Sequence, residues 1–107
     1  MSLVNSEDLK LLTLAKSSQQ RNSAPQCAAL RDGTGRTHVG HRVALAALHL
    51  DALEVAMAMA LSSGADAIEA AVVVGDIPSA RAISSIREIS PKALIWYVSH
   101  DGNVQAL

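Results

Sequence analysis

The stretch from Ala52 to Leu61, Ala-Leu-Glu-Val-Ala-Met-Ala-Met-Ala-Leu, constrains the fold of this chain more than any other segment. It is composed of good helix formers, and apart from Glu54 it has no polar face. A helix that is apolar all round must be covered on both sides. One side can lie against a sheet of its own domain. The whole chain has only 107 residues, which makes a single domain, 1–107, too small to lay a second layer over the same helix. A partner subunit is the simplest outer cover, and small alanines beside the adaptable Met57 and Met59 suit close helix approach. The segment thus predicts a homo-oligomer, a dimer or tetramer, formed through helix 52–61. The competing reading is an alanine-rich core helix whose outer face is merely apolar.

Around this helix the chain alternates between helical and extended patterns. A first helix is expected from Asn5 or Ser6 to about Gln20, with Leu9, Leu12 and Thr13 on its inner face and Glu7 and Asp8 favourably placed in its first turn. Asn22-Ser23-Ala24-Pro25 interrupts it. Gln26 to Leu30 and Arg36 to Val43 read as two strands of a hairpin around Asp32-Gly33-Thr34-Gly35. Gly33 and Gly35 therefore belong to a turn, since a phosphate cradle needs a strand running into a helix. The second helix runs from about Asp51 to Ser63 and stops at Gly64. Ile68 to Val74 is a valine-rich apolar run broken only by Glu69, the mark of a central strand. Asp76 is the expected cap of a third helix, with Pro78 in its first turn, ending near Ser90-Pro91. Ala93 to Val98 is a further strand, and Asp101-Gly102 turns the chain into a last extended piece, Asn103 to Leu107. This order predicts helices covering a sheet.

Composition excludes several functions. Half the residues are apolar, yet Trp96 and Tyr97 are the only aromatics of the Phe, Trp and Tyr set, so the core must be made of small and aliphatic side chains. Nine basic and ten acidic residues with no basic run give no support for nucleic-acid binding. A single cysteine, Cys27, permits no internal disulfide, and no stretch resembles a signal sequence or membrane span. The expected setting is cytoplasmic, with no membrane partner. Met1-Ser2-Leu3 reads as an appended start.

Three segments together resemble the small homotetrameric cytidine deaminases. The first is Ala24-Pro25 followed by Cys27-Ala28-Ala29-Leu30-Arg31-Asp32-Gly33, similar to that family's proline, Gly-Ala-Ala strand and Asp-Gly. The second comprises Gly40, Val43, Ala46 and Leu48 leading into Asp51-Ala52-Leu53-Glu54, where the family has Gly-x-Asn-Val-Glu-Asn-Ala-Ser-Tyr and then Cys-Ala-Glu or His-Ala-Glu. The third is Ala71-Val72-Val73-Val74, then Pro78, Ile86 and Glu88, matching Pro-Cys-x-x-Cys followed by a leucine and a glutamate. The resemblance spans nearly the whole chain and implies a three-layer α/β/α sandwich, with a mixed sheet of four or five strands and three helices.

That family's chemistry implies three protein ligands on zinc, a water in the fourth position and a glutamate that moves protons. Carried over position by position, the resemblance puts the first ligand on Asp51 and the glutamate on Leu53. The two later cysteines fall on Ser79 and Ala82. Leucine carries no proton and alanine no ligand atom. The sugar-recognition asparagine and glutamate become Arg42 and Ala44. A shifted register that takes His49-Leu50-Asp51 as a His-x-Glu signature still leaves zinc one ligand, and Cys27, on a strand, cannot complete the set. The expectation is a chain with no metal, no cofactor and no catalytic residue.

Arg42, His49, Asp51 and Ser79 then remain as a polar set at the mouth of the old pocket, either an ordinary solvated rim or a site for a small anionic or nucleoside-like ligand. Each has a plainer role as well. Asp51 with Glu54 matches a capping box, and Ser79 suits a backbone amide better than a nucleophile's task. His38 and His41, three apart on a strand, point to opposite faces and read as surface residues. His100-Asp101-Gly102 is a turn and implies no catalytic dyad. The sequence thus predicts a non-catalytic oligomeric binding or scaffold module, with a possible protein partner. A nucleoside-type ligand sensor is the first alternative, and a hydrolase with an unrecognised site the second.

Overall fold

A computed structural model describes residues 3–107; Met1 and Ser2, of the stretch read as an appended start, lie outside the described residues. Among the described residues three helices flank a five-stranded sheet. In chain order the elements are α1 (Ser6–Asn22), β1 (Gln26–Asp32), β2 (Thr37–His41), β3 (Val43–Ala44), β4 (His49–Leu50), α2 (Ala52–Ser62), β5 (Ile68–Gly75), α3 (Ala80–Ile89), β6 (Leu94–Ser99) and β7 (Val104–Ala106). The main sheet has the order β2-β1-β5-β6-β7, and β3 and β4 form a separate two-stranded ladder. Among the described residues only the β5–β6 pair is parallel, joined through α3; the other pairs are antiparallel. The expected strand 36–43 is thus interrupted at Arg42, and its tail pairs locally with His49–Leu50.

The two faces of the sheet bury two separate cores. Ala28, Leu30, Ala71, Val73 and Ile95 point toward α2 and α3, whose Ala52, Leu53, Ala56, Met57, Ala60, Ala82 and Ile86 close that side. The alternate residues Cys27, Ala29, Ala70, Val72, Val74, Trp96 and Val98 meet Leu11 and Ala15 of α1 on the other. β5 is covered on both sides, as its continuous apolar run requires. The structure is the expected α/β/α sandwich.

The inner face of α1 differs from the sequence expectation. Leu9 and Thr13 are exposed, and the buried positions are Asp8, Leu11, Ala15 and Ser18. Asp8 turns the helix. Its carboxylate, 1% exposed, accepts hydrogen bonds from Arg31 Nη2 at 3.0 Å and Trp96 Nε1 at 3.3 Å, while Arg31 Nε also donates to Glu69 at 2.8 Å. A buried carboxylate must be paired, and this face supplies the partners. Asn5 is the N-cap, accepting from the Glu7 and Asp8 amides.

α2 lies against β1 and β2 so closely that a Cβ at Gly40 would stand 2.8 Å from Val55 Cγ1 and 2.9 Å from the Ala56 nitrogen. Its inward stripe includes Ala52, Ala56 and Ala60, one turn apart, which is what permits the approach. Ala58, Met59 and Leu61 face outward, with Met59 45% and Leu61 44% exposed. Among the described residues no helix is long and apolar enough to cross a membrane.

Candidate functional site

The candidate site forms where the parallel strands β5 and β6 end and the first turns of α2 and α3 begin, a usual position for a site in a sheet with a βαβ crossover. First-turn amides have no partner within their own helix, so both helix starts present donors that must be satisfied.

Asp51 serves both helix starts. Its Oδ1 accepts from the Glu54 amide at 2.8 Å, and Glu54 Oε1 accepts from the Asp51 amide at 3.0 Å, completing a capping box. Its second oxygen, Oδ2, accepts from the Ser79 amide at 2.6 Å, so one carboxylate ties α2 to the chain entering α3. Ser79 is itself the N-cap of α3, its Oγ accepting from the Ala82 amide at 3.0 Å. This corrects the expectation that Asp76 caps this helix with Pro78 in the first turn. Asp76 to Ser79 follow the strand without helical structure, and α3 starts only at Ala80. Glu54 reaches across as well, accepting from Arg81 Nε at 2.6 Å and Nη2 at 3.3 Å. The Arg81 guanidinium holds the Glu54 carboxyl below its ordinary pKa, with the Asp51 amide adding to the effect.

Asp76, released from capping, joins two other segments. His100 Nε2 lies 2.7 Å from its Oδ1, and Arg42 Nη1 lies 3.1 Å from its Oδ2. The His100 ring first, and Arg42 second, hold this carboxyl below its ordinary pKa. The turn His100-Asp101-Gly102 therefore contributes a His–carboxylate pair, though to Asp76 and not within the turn.

A cleft of about 350 Å³ opens here, walled by Arg42, His49, Asp51, Glu54, Ser79 and Arg81. All four residues singled out from the sequence, Arg42, His49, Asp51 and Ser79, lie on it. Sequence reasoning passed over Glu54, Arg81 and Asp76 as partners in its ion pairs. It also passed over Gln26, which is fully buried and bonds the start of α2 to the segment after β5. The signal for Gln26 was available: a polar residue leading an otherwise apolar strand start must find buried partners.

The four positions that the resemblance links to zinc chemistry do not fit a metal. A zinc centre needs three nitrogen, sulfur or oxygen side-chain ligands. Leu53 and Ala82 offer none and are fully buried in apolar packing, while the Asp51 carboxylate and Ser79 hydroxyl already accept backbone amides. Among the described residues no three His, Cys, Asp or Glu side chains gather as a metal site.

The remaining histidine expectations are mixed. His41 is exposed, whereas His38 is largely covered, its Nε2 lying 3.1 Å from Asp32 Oδ2. Asp32 also accepts from the Thr34 hydroxyl and from the Thr34 and Arg36 amides, so it locks the β1–β2 turn. These contacts, the Thr34 hydroxyl foremost, hold its carboxyl well below the usual carboxylate range. His38 is thus drawn inward by a turn carboxylate that periodicity does not reveal.

A three-layer sandwich with its cleft between two helix N-termini defines the class of protein to which the chain belongs. The chain is a member of the cytidine deaminase-like family, which it matches over residues 4–102. Among solved structures it is similar to the cytidine deaminase of Burkholderia pseudomallei, with a TM-score of 0.80 and 22% identity over 92% of this chain and 90% of that one. It is also similar to the cytidine deaminase of Mycobacterium leprae, with a TM-score of 0.71 and 20% identity over 97% and 94% of the two chains. At these identities the likeness establishes the shared fold. No curated protein matches the chain significantly.

Proposed function

We propose that this member of the cytidine deaminase-like family is a non-catalytic, cytoplasmic, oligomeric binding or scaffold module without zinc. The reading is supported above all by the engagement of Asp51. At the position corresponding to a first metal ligand, both carboxylate oxygens accept backbone amides, those of Glu54 and Ser79. Leu53 stands where a proton-moving glutamate would be needed, sealed in the core with Ala82. A chain organised this way keeps the sandwich and uses its former reactive end as a structural joint. The outward Ala58, Met59 and Leu61 of α2 favour a second copy as the partner in the assembly.

The deciding experiment is a cytidine turnover assay on rigorously purified protein, with metal content measured on the same sample. No turnover above a buffer control and no stoichiometric zinc is the expected result. Activity that co-purifies in proportion to the protein overturns the reading, and loss of that activity on changing Asp51 or Ser79 would identify a hydrolase with a different site.

The cleft favours one alternative, a nucleoside-type ligand sensor, because Arg42, His49, Asp51 and Ser79 share one opening of about 350 Å³. A saturable rise in melting temperature with one nucleoside, and none with the others, is the result this alternative requires. A ligand at about 100 times its Kd stabilises by about 2.7 kcal/mol, well within reach of the measurement.

A further inference from the structure

Gln26 opens β1 and is fully buried between the first turn of α2 and the segment leaving β5. Its carboxamide makes three hydrogen bonds, all to backbone. Oε1 accepts from the Ala52 amide at 2.9 Å, while Nε2 donates to the carbonyl of Asp76 at 2.9 Å and to that of Ile77 at 3.2 Å. The backbone groups it satisfies are ones the fold leaves free. The Ala52 amide sits in the first turn of α2, where no intrahelical acceptor exists, and Asp76 and Ile77 lie after β5 and before α3. One donor and two acceptors thus converge on a space the size of a carboxamide.

That arrangement is selective by its chemistry. A primary amide places a carbonyl oxygen toward the donor and two N–H groups toward the acceptors. A carboxylate of the same shape would turn an unshared, charged oxygen against two carbonyls, and a ketone would leave both carbonyls without donors in a buried place. We propose that these three backbone groups form a recognition site for the O=C–NH2 edge of small amides and ureas, and that the chain fills this site with its own side chain. Gln26 is the resident occupant. It holds the start of α2 to the exit of β5, beside the Asp51 link to Ser79. The proposal is independent of whether the protein is a scaffold, a sensor or an enzyme, because it concerns only what occupies this space.

Truncation by Gln26→Ala removes the atoms of one acetamide molecule, so acetamide is the probe. Melting curves of the wild-type protein and Q26A would be recorded with increasing acetamide, and with acetate and acetone as controls of matched shape. The expected result is a melting temperature for Q26A lower by at least about 5 °C, partly and saturably restored by acetamide but by neither control. Acetamide acting equally on both proteins, or acetone restoring Q26A as well as acetamide does, overturns the proposal. Should Q26A not fold, Q26M and Q26E at pH 8 decide. Stability must fall from wild type to Q26M and further to Q26E, whose carboxylate faces the two carbonyls; Q26M as stable as wild type, or Q26E at least as stable as Q26M, overturns it.

Discussion

At the residue scale, two carboxylates do structural work that their sequence context only partly announces. Asp51→Asn keeps a good N-cap for α2, because asparagine accepts the Glu54 amide as aspartate does. It loses the second acceptor, turning an amide donor toward the Ser79 N–H that Oδ2 now receives. The expected loss is about 1–3 kcal/mol in urea unfolding, carried by the junction between the two helices. Asp32 provides a pH test. Its carboxyl is held below the ordinary value of 3.8 in the folded chain, chiefly by the Thr34 hydroxyl and then by His38 and the turn amides. Folding therefore favours the ionised form, so the stabilisation is present above that ordinary value and is lost as pH falls below it. Unfolding followed between pH 6 and about pH 2.5 should show a part of the acid dependence that disappears in Asp32→Asn. A slope unchanged by the substitution would place the acid sensitivity elsewhere.

At the element scale, α2 is fixed by close packing, and its substitutions divide accordingly. Leu53→Ala removes a fully buried side chain between α2 and the sheet, with an expected loss of about 2–5 kcal/mol. Leu53→Glu should be worse, because it adds an unpaired charge to the same core, and thermal unfolding of the two variants would rank them. Gly40→Ala should destabilise by about 1–3 kcal/mol, since its methyl meets Val55 and the Ala56 backbone within contact distance. Elements of this kind were legible because local signals agreed. The valine run marked β5, Asp51 with Glu54 marked the start of α2, and Gly64 followed its end. Where signals came from distant parts of the chain, they were not legible. The inner face of α1 is set by Arg31 and Trp96, far along the sequence from Asp8, and the cap of α3 is Ser79, while Asp76 pairs with His100 and Arg42. The candidate cleft was legible as a set of four residues through the family pattern. The links that close it, through Gln26, Glu54 and Arg81, depend on three-dimensional neighbours that no spacing displays.

At the scale of the whole molecule, the exposed apolar side chains include groups on the outward side of α2 and at the tip of the β3–β4 ladder. Leu45 and Leu48 at that tip are 64% and 50% exposed, and the alanines between them are exposed too. If α2 carries the assembly, replacing Met59 and Leu61 together with lysine should reduce the mass seen by light scattering to that of one chain, leaving the far-ultraviolet circular dichroism unchanged. An unaltered mass would assign the contact to another surface. Neither core can be completed before β6 is made. On the α2 side, Ala28, Leu30, Ala52, Leu53, Ala56 and Ala71 come early, but Ala82, Ile86 and Ile95 close the same core later in the chain. On the other side, α1 is made first but its Asp8 contacts Trp96, 88 positions later. During synthesis the Asp8 carboxylate, which Arg31 can reach early, therefore waits for its second donor until β6 has left the ribosome. The contact that fixes the first helix is therefore among the last that the described residues can make.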